Sequence, residues 1–284
     1  MTATAASDYR CAGASLLDTE PMAGTAPADV AWLFVEQPGP WGRQAVAECR
    51  LPEAVRDHLA GLDGVRVQLI RRPGGASGPG VRVFSAVLGD RPVVRTALLA
   101  DPTELLGGLD DLSWEPYGDP LWLVCTNGRR DLCCAERGRP VAAALAARWP
   151  DATWETSHLG GHRFSGTLLA LPAGVVLGRL DPGSAVAACA ALEAGRLPAH
   201  LARGRSGLPG IAQVAELYLR AELGLHRLDD IRVVGVEDGR VRLEAGGAAY
   251  LVEVEESLGA PRRHSCADLR TKAAPVYTVV GWGT

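Results

Sequence analysis

Two pairs of metal-competent side chains constrain this chain more than any other feature. Cys125 and Cys134 lie in one short stretch with eight residues between them, and His158 and His162 lie in another, spaced His-x-x-x-His across Gly160-Gly161. Each pair follows a run that reads as a β-strand, Leu121–Val124 and Thr153–Ser157. Two thiols and two imidazoles are the donor set of a tetrahedral zinc site or of a Rieske-type [2Fe–2S] centre. A fold that uses all four must bring two strand ends together on a rigid scaffold.

Composition narrows the classes. The chain has 284 residues, 47% of them hydrophobic, enough for one large domain or two ordinary ones. A net charge of −4 supplies no basic field for nucleic acid. There is one lysine, Lys272, against 28 arginines, a bias that reads as genomic and makes the arginines weak evidence for anion binding. No apolar run approaches the ~18 residues of a membrane helix. Met1–Ser7 is small and polar and carries no signal-peptide pattern, so a cytoplasmic location is the expectation. Cysteine occurs at Cys11, Cys49, Cys125, Cys133, Cys134, Cys189 and Cys266. In that compartment thiols stay reduced or bind metal.

The hydrophobic pattern predicts an α/β chain. Val30–Glu36 reads as a buried strand, Leu51–Leu62 has helical spacing, and Val65–Ile70 and Val81–Val87 read as strands around the glycine-rich loop 71–80. That loop lacks both the G-x-G-x-x-G and the Gly-Lys-Ser/Thr spacing of a phosphate cradle. A second unit follows: the strand ending at Cys125, an alanine-rich helix Pro140–Trp149 started by its proline, and the strand before the histidine loop. A hairpin around Pro172-Ala173-Gly174 and helices Ser184–Ala194 and Ile211–Leu223 complete it. The order β-α-β-β-β-α is close to a thioredoxin-like sandwich. Ile231–Glu255 alternates cleanly and predicts a three-stranded meander. The expected organisation is an N-terminal α/β domain over 1–120, a thioredoxin-like domain over 121–225 and a β-rich extension over 226–284. The two β-α-β-β stretches are compatible with a diverged duplication.

The span between Cys125 and Cys134 is longer than the two to four residues usual in a zinc hairpin, and a wider loop suits a larger object than one ion. Asn127-Gly128 allows a tight turn, and Arg129, Arg130 and loop N–H groups can stabilise negative charge on sulfur. Spacing favours Cys134 over Cys133 as ligand, with Cys133 a spare thiol beneath the loop. Trp122 and Trp154 read as core, and Arg163 as facing a metal group, a partner or solvent. Cys11, Cys49 and Cys189 read as small buried hydrophobes. His264 with Cys266 is too little for a site, and His58, His200 and His226 have no companions.

The stretch from Cys125 through Asp181 is similar to the thioredoxin-like ferredoxins, with histidines where the second cysteine pair is usual. This, with Trp32–Gly42 (WLFVEQPGPWG), resembles the sucrase/ferredoxin-like family across most of the chain. The resemblance implies a [2Fe–2S] cluster in a thioredoxin-like ferredoxin domain. Cys125 and Cys134 would bind one iron, His158 and His162 the other. It implies a one-electron carrier or sensor, proton-coupled through its histidines, with an unidentified redox partner protein and no substrate of its own. The "sucrase" label has no support, since no glycosidase-like carboxylate pair is evident. Two other readings use the same residues: a zinc-stabilised structural protein, and a thioredoxin-like thiol-redox enzyme, the latter weakened by the absence of Cys-x-x-Cys.

Overall fold

The computed structural model describes residues 8–75, 78–89 and 91–284; the stretch Met1–Ser7 read for targeting, and Ala76 and Ser77 of the glycine-rich loop, lie outside the described residues. The first half runs α1 (Cys11–Leu17), β1 (Ala31–Glu36), α2 (Glu53–Ala60), β2 (Val65–Arg71), β3 (Val81–Val87), β4 (Val93–Leu99) and β5 (Glu115–Pro116). The second runs β6 (Leu121–Cys125), α3 (Leu132–Arg148), β7 (Thr153–Thr156), β8 (Leu168–Leu171), β9 (Val175–Leu177), α4 (Pro182–Glu193), β10 (Ala202–Arg205) and α5 (Gly210–Leu223). The C-terminal part holds β11 (Ile231–Glu237), β12 (Arg240–Ala245), β13 (Ala248–Leu258), β14 (Arg262–Arg263), β15 (Thr271–Lys272) and β16 (Pro275–Gly283). The chain is α/β, in keeping with a thioredoxin-like fold.

One sheet of ten strands, in the order β10-β9-β8-β6-β7-β2-β1-β3-β4-β5, carries both halves. β1 and β2 are parallel with α2 as their crossover, and β6 and β7 are parallel with α3 as theirs. β3 and β8 then return antiparallel to β1 and β6. The two halves therefore repeat one strand order outward from the antiparallel β2–β7 seam, where Ile70 faces Thr156 and Arg71 faces Glu155. Arg71 Nε donates to Glu155 Oε2 at 2.7 Å across that seam. β1 and β6 are central and buried almost throughout, which is why they read as continuous apolar runs without alternation. Trp122 and Val124 face α3 and α4, while Leu121, Leu123 and Cys125 face a second core with Trp32, Phe34 and Trp154. Trp122 and Trp154 are core residues, as read.

Three expectations change. The helix after Cys125 starts at Leu132, not Pro140, because Asp131 caps it by accepting the Cys133 N–H at 3.1 Å; Pro140 lies inside the helix. The meander has four strands, β11-β12-β13-β16, because β16 adds along β13. Its inner face packs on α5 through Ala212, Ala215 and Leu219. Arg163 is not free: it pairs with Glu20 at 2.6 Å and lies over the Phe164 ring.

Gly138 lets α3 approach the end of β6, since a Cβ there would overlap the Cys125 carbonyl oxygen. Gly138→Ala should therefore destabilise despite alanine's better helix propensity, by about 1–3 kcal/mol. Gly118→Ala, at an exposed position with nothing within 4 Å of the added methyl, should be close to neutral. Urea unfolding of both variants measures the difference.

Candidate metal centre

Cys125 is the last residue of β6, and its N–H donates to Thr167 O at 2.9 Å. The loop 126–131 then turns on Asn127, whose carbonyl accepts from Arg130 and Asp131. Asp131 starts α3, so Cys134 sits in the first helical turn and not in the loop the sequence suggested. Both thiols are buried, Cys125 to 2% and Cys134 to 1% exposure.

The histidines arrive from the neighbouring strand. After β7, Ser157 anchors on β2: its N–H donates to Leu69 O at 2.8 Å and its hydroxyl to Gln68 Oε1 at 2.6 Å. Gly161 takes a left-handed conformation (φ 68°) and opens a short 3-10 turn over His162–Phe164. A side chain at Gly161 would also strike the Arg203 guanidinium, which donates to Gly160 O at 2.9 Å and to the carbonyl of Thr25. Burial, with Arg163 and Arg66 nearby, pushes the Arg203 pKa down to about 9. Leu159, between the histidines, points into the core beside Cys125 and Cys134.

Three of the four sequence-selected donors converge. His158 Nδ1 lies 3.9 Å from Cys125 Sγ and 3.8 Å from Cys134 Sγ, and donor atoms of the three residues fall within 4.8 Å of one another. His162 lies outside that group, behind His158, with its Nδ1 3.3 Å from His158 Nε2. Its Nε2 faces Asp131 Oδ2 at 3.9 Å. The Cys134 thiol and His158 together hold the Cys125 thiol well below its usual range, while the hydrogen bond with Cys125 and burial push Cys134 well above it. Burial, with His158 beside it, lowers His162 to about 4. Burial opposes ionisation of Asp131, but hydrogen bonds from Cys266 and Ser265 and the nearby His162 outweigh it and hold the carboxylate low.

Cys133 stays outside the Cys125–Cys134–His158 group. It points away from Cys134, to Cys266 Sγ at 3.3 Å, and Cys266 Sγ lies 3.6 Å from Cys11 Sγ. Cys11 and Cys266, read as unpartnered, thus have partners brought from opposite ends of the chain. Cys49 and Cys189 remain buried single thiols, as read. Sequence reading also missed Asp131. An acidic residue just before the helix bearing two cysteines is a cap signal, and would have moved the helix start to Leu132.

Buried soft sulfur beside imidazole nitrogen on an α/β sheet defines a protein with Cys/His groups that can bind a metal. The sucrase/ferredoxin-like family matches residues 22–204, and the chain belongs to that family. No curated protein and no solved structure matches the chain. Among the described residues no helix is long and apolar enough to cross a membrane.

The His162 shift sets a pH dependence. The unfolded chain takes up this proton near 6.5 and the folded chain only near 4, so the neutral ring is the one the fold accepts. The metal-free protein should lose stability as pH falls through that window, by on the order of 3 kcal/mol at the limit, with no contribution above pH ~7. His162→Gln should flatten that part of the curve, as read from denaturant midpoints at pH 7.5 and 4.5.

Proposed function

We propose that Cys125, Cys134, His158 and His162 hold a [2Fe–2S] cluster and that the protein is a one-electron carrier or sensor working with a separate redox protein. The observation that carries this reading is the division of the donors into two pairs. The two thiols lie 3.9 and 3.8 Å from His158 Nδ1 on one side, and His158 Nε2 and His162 Nδ1 sit 3.3 Å apart on the other. That spacing is the edge of one metal's tetrahedron for metal–nitrogen bonds of about 2.0–2.1 Å. A single ion would take Cys125, Cys134 and His158 and leave His162 out, whereas two metals use all four. Family membership supports the same group.

When bound, such a cluster supplies reversible one-electron transfer; two neutral imidazoles in place of two thiolates raise its potential toward the range of about −150 to +300 mV of Rieske centres. The chain's own residues do the rest. β6 and α3 bury the thiols and exclude water from the sulfur side. The imidazoles stay half-buried, with the His162 side chain 16% exposed, so their edges form the face open to a redox partner. Asp131 Oδ2 lies 3.9 Å from His162 Nε2, so its negative charge faces the outer edge of that ring. Histidine ligands couple electron uptake to proton uptake at their outer nitrogens.

An ultraviolet–visible spectrum of anaerobically purified protein, before and after dithionite, tests the reading. Expected are sulfur-to-iron bands that bleach on reduction, with iron and acid-labile sulfide in equal amounts. Cys125→Ala should be colourless. His162→Cys should keep the colour and lower the potential, with less pH dependence. A colourless wild-type protein that takes up no cluster on reconstitution would overturn the proposal.

A further inference from the structure

A second group of thiols shares no residue with Cys125, Cys134, His158 and His162. Cys11 is the first residue of α1, Cys133 lies in the first turn of α3, and Cys266 lies between β14 and β15. Donor atoms of these three residues and of Asp131 fall within 4.8 Å of one another. The measured edges are 3.3 Å for Cys133–Cys266, 3.6 Å for Cys266–Cys11 and 3.5 Å for Cys11 Sγ to Asp131 Oδ1. In a tetrahedral zinc site with sulfur at about 2.3 Å and carboxylate oxygen at about 2.0–2.2 Å, the corresponding edges are about 3.8 Å and 3.6 Å. These three edges fall at or somewhat inside the tetrahedral values, and the remaining donor pairs lie within 4.8 Å.

Two further observations point to a cation. Asp131 has a fully buried side chain, and its carboxylate lies among three thiols. A buried carboxylate among three thiols calls for a positive charge. The carboxylate is held in place on both sides: Oδ2 accepts from Ser265 Oγ at 2.9 Å and from the Cys266 N–H at 2.8 Å, while Oδ1 accepts the Cys133 N–H at 3.1 Å and keeps a lone pair toward Cys11 Sγ at 3.5 Å. Three thiols are also an odd number, so any single disulfide would leave one thiol beside the carboxylate.

We infer that Cys11, Cys133, Cys266 and Asp131 form a structural binding site for a zinc-class divalent cation. The ion would tie α1 and the β14–β15 segment, 255 residues apart at their cysteines, to the helical turn that carries Cys134. Closing so long a loop constrains the unfolded chain, and binding energy at such a site is folding energy. The site uses no open coordination position, so it needs no substrate. The inference stands independently of what occupies Cys125, Cys134, His158 and His162.

The test is metal analysis of full-length protein purified anaerobically, with single variants at each centre. Expected is about one zinc per chain in the wild type. Cys266→Ala, at a half-buried loop position, should lose that zinc and keep its iron and sulfide, while Cys125→Ala should keep the zinc. Cobalt(II) added to metal-free wild-type protein should give thiolate-to-cobalt charge-transfer absorption that persists in Cys125→Ala and is lost in Cys11→Ser. The wild-type titration does not depend on any variant folding. Zinc that disappears with Cys125→Ala and survives Cys266→Ala would overturn the inference. So would a zinc-free wild type without cobalt–thiolate absorption, or a Cys133–Cys266 disulfide recovered from anaerobic protein.

Discussion

Asp131 is the group on which the arrangement of this protein turns. Its carboxylate caps α3 through the Cys133 N–H, receives Ser265 and Cys266 from the C-terminal segment, contacts the Cys11 thiol and faces His162. An anion buried to this degree is tolerated only if its lone pairs are filled by donors that the fold holds in place. Because the donors come from three segments, one of them near each end of the chain, the demand of one side chain fixes where the chain ends run. It also sets the start of α3, and the start of α3 sets which way two adjacent cysteines point. Cys133 and Cys134 are consecutive on a helix, and successive residues on a helix face about 100° apart. One helical turn can thus serve two separate sulfur groups.

The ten-stranded sheet explains why the Cys/His group lies where it does. Both halves have the same order of parallel and antiparallel strands around the β2–β7 seam, which fits a duplication. The Cys/His group that could bind a metal lies in only one copy. The loop after β6 carries Cys125 and leads to Cys134, and the loop after β7 carries the histidines; the corresponding loops after β1 and β2 hold Cys49 alone among thiols and imidazoles of the described residues. Parallel neighbours β6 and β7 end on the same side of the sheet, so both ligand loops leave at one edge. The first copy contributes the anchor: Gln68, Leu69 and Arg66 of β2 hold Ser157 and the His158 carbonyl.

Much of this was legible from local pattern. The runs LWLV and VAWLFVE are apolar throughout because central strands are buried on both faces, and period alone exposes them. That Cys125 ends one strand and His158 and His162 follow its neighbour was legible because the apolar runs before them mark the strand ends. The start of α3 was misread because Pro140 is a strong local signal for a helix start and Asp131 a weaker one. The fourth strand of the meander was missed because β16 pairs with β13 across a long connection, which no short window contains.

Residue identity and spacing by themselves determined the α/β class and the placing of the Cys and His stretches at the ends of neighbouring strands, since each depends on neighbours within about a dozen residues. Tertiary structure alone decided that His162 stands behind His158 and not beside the thiols, that Arg203 props the histidine loop, and that Cys11, Cys133 and Cys266 meet around Asp131. These contacts join positions up to 255 residues apart. Sequence spacing carries no information about them, because the distance between two such points is set by how every intervening element packs.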